Sequence, residues 1–283
     1  MFQKKDIFSV LQTAKKFLNL KGLSEYKSDS EVLLSFILQI KRSKLPFVYN
    51  QILSSDQLCQ FEKYILRRSK REPVAYITGY VGFMGFEFRV NKNVLIPRPE
   101  TELLVETVLD LATTKQKSLE ILDLCTGSGC IAISLAKMGT FKSIIATDIS
   151  KYVLEIAKEN AKINGLENIV FIESDIFTNL KQRKFDIIVS NPPYVTEEEY
   201  MFLEEDLMYE PKLALTAKDE GLFFYSEIAK NAKKFLNNSG HIFLELNPNK
   251  VNQIKKIFID NNFKGIEILK DYSQLSRIFK ARF

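Results

Sequence analysis

"ILDLCTGSGCIAISLA", residues 121–136, decides the fold: an apolar run ends at Leu124, a turn carries two glycines, and apolar residues then recur at helical spacing. A strand that runs straight into a glycine turn and a helix brings backbone N–H groups of a helix N-terminus up to a ligand. Gly127 and Gly129 remove the side chains that would block that approach. The next strand ends in "ATDIS", which places Asp148 nineteen residues after Gly129, where a carboxylate grips the two hydroxyls of a ribose. A nucleoside cofactor is implied. Gly127, Gly129 and Ala132 also satisfy the G-x-G-x-x-A form of the NAD fingerprint, so the loop alone does not choose between NAD and S-adenosylmethionine. With the latter, Asp123 is expected near the amino-acid part. Asp175, in "ESDIF", is expected to accept from the adenine amine, with Ile176 against the ring.

From residue 100 onward, helical and strand patterns alternate: helices 100–112, 128–138 and 151–163, and strands 119–124, 143–147, 168–173 and 185–190. A helix over 221–237, a strand from 241, a helix over 249–261 and two terminal strands follow. That rhythm predicts an α/β fold with a mostly parallel, doubly wound sheet. Upstream, 6–20, 29–40 and 54–70 read as helices, with Ser28 or Ser30 and Ser54 or Ser55 as N-caps. Pro73 breaks that pattern, and "YITGYVGFMGFEFRV" has hairpin composition. The expected organisation is a helical domain over 1–75, a β-hairpin linker over 76–95 and the α/β domain over 96–283.

The chain has 283 residues, 46% of them hydrophobic, enough for two domains with proper cores. Its net charge of +5 is unevenly placed: residues 1–75 hold 14 Lys/Arg against 7 Asp/Glu, which leaves 26 against 28 in the rest. The surplus suits either a solvated face or a docking surface for an acidic partner. The longest apolar run, "VLLSFILQI" at 32–40, falls well short of the roughly 18 residues that span a bilayer, so no membrane role is expected. The basic N-terminus reads as a structural helix rather than a targeting peptide, because Ile7, Val10, Leu11, Ala14, Phe17 and Leu18 follow helical spacing and no small-residue cleavage site follows. Cys59, Cys125 and Cys130 are odd in number and form no C-x-x-C pair, which fits a reducing cytoplasm. His241, the single histidine, begins an apolar strand and reads as structural.

"VSNPPYV", residues 189–195, ends a buried strand in a stiff finger: Pro192 and Pro193 each fix φ and lack an N–H. An amide or exocyclic base nitrogen is a poor nucleophile, because its lone pair is delocalised. The side-chain carbonyl of Asn191 and the backbone carbonyl of Pro192 can each accept one N–H of such an NH₂ group and aim its lone pair at the methyl carbon of a sulfonium. Tyr194 can stack on the planar group. Positioning of this kind supplies on the order of 7 to 11 kcal/mol, so no general base is required. Asn191, Pro192 and Tyr194 are therefore the catalytic candidates. A nucleic-acid substrate would ask for Lys/Arg interleaved with aromatics beside the cleft, whereas this half of the chain is slightly acidic. An NAD-dependent dehydrogenase would leave the finger unexplained and lacks a proton donor. A non-enzymatic binding module would have no use for S-adenosylmethionine.

"REPVAYITGY", "VLIPRPETELLVE", "ILDLCTGSGCIAISLA", "SNPPYV", "YEPKLAL" and the terminal "DYSQLSRIFKARF" together resemble the release-factor glutamine methyltransferases, also called HemK or PrmC proteins, over nearly the whole chain. The resemblance implies a Rossmann-like class I methyltransferase. Its methyl donor would be S-adenosyl-L-methionine, with S-adenosyl-L-homocysteine as product. The acceptor would be the side-chain amide of the glutamine in the Gly-Gly-Gln motif of class 1 peptide-chain release factors, the proteins of translation termination. It matches Cys125, Thr126, Gly127, Ser128, Gly129, Asp148, Ile176 and Asn191 to cofactor contacts, and Asn191, Pro192, Pro193 and Tyr194 to the glutamine-binding finger. "IPRPET" at 96–101 would close over the site, and the helical domain would help hold the release factor. A cytoplasmic monomer without direct nucleic-acid binding is expected. Three positions depart from the family: Cys125 where glycine is frequent, Gly82 where glutamate is frequent, and "LELNPNK", which lacks the usual glycine and glutamine.

Overall fold

Residues 6–115, 118–181 and 183–283 are described by the computed structural model. The first five residues of the expected helical domain lie outside them. Contacts divide the chain into two units: one runs to Gly79 and takes in Glu204–Tyr209, and the other comprises Tyr80–Leu203 with Glu210–Phe283.

The first unit is helical. In α1 (Ile7–Leu20) the Asp6 side chain accepts from the Ser9 N–H at 2.9 Å, and Ile7, Val10, Leu11, Ala14 and Leu18 are buried. The helix α2 (Tyr26–Leu38) starts ahead of the expected residue 29. Its serines do not cap: the Ser30 hydroxyl donates to the Tyr26 carbonyl at 2.7 Å from inside the helix, the back-bonding that competes with capping. Ser54 does cap α3 (Ser55–Arg68), in a reciprocal box with Gln57. Residues 76–78, expected in the hairpin, belong instead to α4 (Val74–Thr78). Pro73 starts that helix rather than preventing it, since a missing N–H costs nothing there. Arg68 is buried between two carboxylates of this unit, Asp29 at 2.7 Å and Asp206 at 2.8 Å, so its charge is satisfied on two sides.

The second unit opens with the hairpin β1 (Tyr80–Phe83) and β2 (Phe86–Arg89), turned by Met84 and Gly85 at φ 50° and 78°. After α5 (Pro99–Thr113) come β3 (Leu119–Leu124), α6 (Cys130–Met138), β4 (Phe141–Asp148), α7 (Lys151–Ile163), β5 (Ile169–Glu173) and β6 (Phe185–Ser190). They are followed by β7 (Leu236–Glu245), β8 (Lys264–Lys270) and β9 (Ser276–Arg282). The sheet order is β5-β4-β3-β6-β7-β9-β8, parallel as far as β7 and antiparallel at β9 and β8. This is the expected doubly wound α/β architecture. The chain moves outward from β3 through β4 and β5, then returns to the other side of β3, so β3 and β6 flank the switch point where such sheets bind ligands.

Side chains alternate between the two faces of the sheet. Ile121, Ile187 and Val189 enter one apolar layer, while Leu122, Leu124 and Ile188 enter the other. Every residue of β6 is buried, which is why its sequence runs almost unbroken in apolar residues. The helix expected over 221–237 is shorter, Phe223–Asn231: Asp219, Glu220 and Gly221 take left-handed φ values of 54°, 54° and 81° just before it, and a 3-10 turn at Ala232–Lys234 ends it ahead of β7. Similarly, β7 begins at Leu236 rather than 241: its polar start, "NNSG", conceals a strand whose register with β6 shifts between Phe185 and Ile187. Among the described residues no helix is long and apolar enough to cross a membrane.

Candidate active site

The turn between β3 and α6 is held from both sides. The Thr126 N–H donates to the Thr147 carbonyl at 2.9 Å and the Gly129 N–H to the Thr126 carbonyl at 2.9 Å. Beneath the turn, Asp123 is fully buried and accepts from the Thr126 hydroxyl at 2.6 Å and the Ala132 N–H at 3.2 Å. It therefore braces the loop from beneath and does not itself line the cavity. Burial, opposed by these two bonds, pushes the Asp123 carboxyl up to about 7. An acid raised in the folded state contributes stability that is complete below its unfolded value and is lost as pH climbs through its folded value. Between pH 5 and 8 the wild type is therefore expected to lose about 2 kcal/mol that Asp123→Asn does not lose. Urea titrations at both pH values check this; parallel pH slopes in the two proteins would contradict it.

A cavity of about 320 Å³ opens over the turn. Cys125, Thr126, Gly127 and Ser128 form its floor, Asp148, Asp175 and Ile176 one flank, and Asn191 with Pro193 another. Gly129, Pro192 and Tyr194 do not line it. Gly129 instead packs on α7: a Cβ there would stand 2.9 Å from Ile133 and 3.2 Å from Ala157. At Gly127 a Cβ would meet nothing within 4 Å, so the open space above this backbone is a ready cradle. The Asp148 carboxylate accepts from the Gly127 N–H and the Ser150 N–H, each at 3.1 Å, and keeps lone pairs for two hydroxyls. Burial raises its pKa, and those backbone bonds lower it. Ile176 stands at φ 48°, a strained value for a β-branched residue, and its carbonyl accepts from the Ser174 hydroxyl at 3.1 Å.

Cys125 also sits at a left-handed φ, 56°. Its thiol is pushed well above the ordinary range, chiefly by burial, which suits a packing residue and not a nucleophile. Glycine adopts this conformation freely, so Cys125→Gly is expected to stabilise the fold by about 1 kcal/mol, read as a higher urea midpoint.

At the finger, the Asn191 Nδ2 donates to the Thr101 hydroxyl oxygen at 3.1 Å, and that hydroxyl donates to Glu245 Oε2 at 2.6 Å. The Tyr194 hydroxyl donates to Glu245 Oε1 at 3.3 Å. Tyr194 thus departs from expectation: its ring packs against the apolar layer containing Tyr225 and Ile228, so it anchors the finger instead of offering a stacking face in the cavity. Glu245 is fully buried at the end of β7, and burial raises its pKa against the Thr101 bond and the Arg277 charge. The sequence pattern gives Glu245 no role, and Thr101 enters it only as the last residue of "IPRPET". The available signal was a glutamate inside "HIFLEL", an apolar strand that has to satisfy the carboxylate.

Pro97, Arg98 and Thr101 of the "IPRPET" segment also line the cavity. Buried Glu210 fastens this segment, accepting from the Ile96 N–H at 3.0 Å and from the Arg98 guanidinium. The acidic stretch after the finger begins with a short capped helix, Glu197–Tyr200. Its two feet are joined: the Val195 N–H donates to the Leu215 carbonyl at 2.9 Å, and the Ala217 N–H to the Val195 carbonyl at 2.8 Å. Gly82 lies in the hairpin, away from the cavity lining. His241 sits within β7 opposite Ile187, outside the cavity. Burial and neighbouring cations hold it neutral, down to about 4.

Residues 99–220 match the family described as Methyltransferase small domain, and residues 9–79 match the PrmC N-terminal domain. The chain is 36% identical over 282 residues to the release factor glutamine methyltransferase of Fusobacterium nucleatum, covering 99% of itself and 79% of that protein. It is 37% identical over 256 residues to the release factor glutamine methyltransferase of Thermodesulfovibrio yellowstonii, covering 88% of itself and 90% of that protein. Among solved structures it shares its fold with the T. thermophilus 16S rRNA N2 G1207 methyltransferase in complex with AdoMet and guanosine. The TM-score there is 0.53 at 20% identity, over 72% of this chain and 49% of that one.

Proposed function

Because this chain belongs to the release factor glutamine methyltransferase family, we propose that it methylates the side-chain amide nitrogen of the glutamine in the Gly-Gly-Gln motif of class 1 peptide-chain release factors. S-adenosylmethionine is its methyl donor, supplying an activated methyl group on a positively charged sulfur and leaving S-adenosylhomocysteine. The observation that carries the reading is the placement of Asn191 in the cavity, with its Nδ2 tied back to Thr101, across the switch point from the glycine turn.

The residues present fit the donor. The backbone of Cys125–Gly129 would lie against its amino-acid part, Asp148 would hold the ribose hydroxyls, and Asp175 with Ile176 would receive the adenine. On the acceptor side, Asn191 Oδ1 and the Pro192 carbonyl would each take one N–H of the glutamine amide. Those two bonds hold its nitrogen still and turn its lone pair toward the methyl group, which is the positioning contribution such an unreactive nucleophile needs. After transfer the surplus proton leaves to water. The helical unit, with its basic surplus, serves release-factor recognition in this reading. The enzyme acts as a cytoplasmic monomer without direct nucleic-acid contact.

Labelled-methyl transfer to a purified release factor tests the proposal, with the Gly-Gly-Gln glutamine replaced in the control. Label that appears only in the unaltered factor is the expected result. Equal label in both, or none in either, would overturn it.

A further inference from the structure

An amide end is nearly symmetric in shape, and turning it over exchanges its acceptor for its donors. Asn191 is of use to an NH₂ substrate only with Oδ1 toward the cavity; reversed, it would set donor against donor. Finger geometry alone does not choose between the two, because both orientations occupy the same space. The choice must come from behind the amide.

We propose that Thr101 and Glu245 are positioning residues that set the polarity of the Asn191 amide, and thereby select a hydrogen-bond donor as the substrate group. This rests on the amide-methylation reading above. Three facts on one line of contacts carry it. Glu245 is buried with the Arg277 charge favouring its ionised form, and the oxygens of an ionised carboxylate only accept. The Thr101 hydroxyl lies 2.6 Å from Oε2 and has one proton, which it gives to that oxygen. Its remaining lone pairs face Asn191 at 3.1 Å and can pair only with an N–H. Nδ2 is therefore held toward Thr101, and Oδ1 is left for the cavity. The second oxygen of Glu245 accepts from Tyr194, so one carboxylate fixes both ends of the finger that follows β6.

The test compares Thr101→Val with Thr101→Ser. Valine keeps the shape and removes the acceptor, so the amide can turn over. Turnover is expected to fall roughly 10- to 100-fold, the range of one misdirected hydrogen bond, with S-adenosylmethionine affinity within about twofold of wild type. Serine restores the hydroxyl and is expected to recover turnover to within about threefold. Wild-type turnover in the valine variant, or a serine variant as slow as valine, would overturn the assignment, since the lost methyl rather than the hydroxyl would then matter. A measurement on the unmodified protein stands apart from folding of the variants and from any activity. The side-chain NH₂ protons of Asn191 should show a nuclear Overhauser contact to the Thr101 methyl group and slowed exchange with water. Absence of that contact together with exchange at the rate of an exposed asparagine refutes the proposal, even if methyl transfer to release factors is observed.

Discussion

Asn191→Ala is expected to lower turnover by roughly 10²- to 10³-fold, about 3 to 4 kcal/mol, the size of effect seen when one positioned polar group at a reacting centre is lost. The side chain stands in the cavity with its Nδ2 engaged by Thr101, so alanine removes an acceptor that has already been oriented. Affinity for S-adenosylmethionine should change far less, because Asp148 and the glycine turn are separate from the finger in the chain and are braced by their own hydrogen bonds. Single-turnover methyl transfer and calorimetric titration of the donor measure the two quantities independently. Near-normal turnover, or a loss confined to donor binding, would remove Asn191 from the role given to it.

Gly221→Ala should be damaging from a position outside the cavity lining. Gly221 has φ 81°, the third of three successive left-handed residues, and an added Cβ would fall 2.3 Å from the carbonyl oxygen of Tyr194. That neighbour is backbone and cannot swing aside, so either the left-handed turn or the finger must move. The conformational penalty and the overpacking together predict a loss of about 3 kcal/mol or more in stability. Turnover should also fall in protein that remains folded, because the displaced carbonyl belongs to the residue two places after Pro192. Gly127→Ala is the internal comparison: its φ is 56°, but a Cβ there meets no atom within 4 Å, so only the smaller conformational cost applies, about 1 kcal/mol. Equal urea midpoints for the two variants would show that the contact with Tyr194 does not matter.

Where the signal was local, the sequence was enough. The apolar runs of β3 and β6, the glycine turn and the carboxylate ending β4 are short-range patterns, and the Asp148 and Asn191 they single out line one cavity. What stayed hidden depends on partners distant in the chain. Thr101 and Glu245 are 144 residues apart, so the glutamate inside "HIFLEL" signals only that a carboxylate needs a partner, not that the Thr101 hydroxyl supplies it. Tyr194 departs for a related reason: next to two prolines its ring suggests stacking, but packing against an apolar layer of the sheet and a bond to Glu245 turn it inward. The early start of β7 illustrates tertiary override of propensity, since polar residues 237–239 and Gly240 are carried between the β6 pairings of Leu236 and His241, where the register shifts.

The strand order has a consequence for biosynthesis. In the finished sheet β9 lies between β7 and β8, although it is made after both. From the moment residue 245 emerges until residue 282 has been added, a nascent chain on the ribosome carries β7 with one margin unpaired. Ile278, Phe279 and Ala281 then enter the core together. A stalled or truncated product ending before residue 276 would present an adhesive apolar edge, so for this fold premature arrest of synthesis is a route to aggregation.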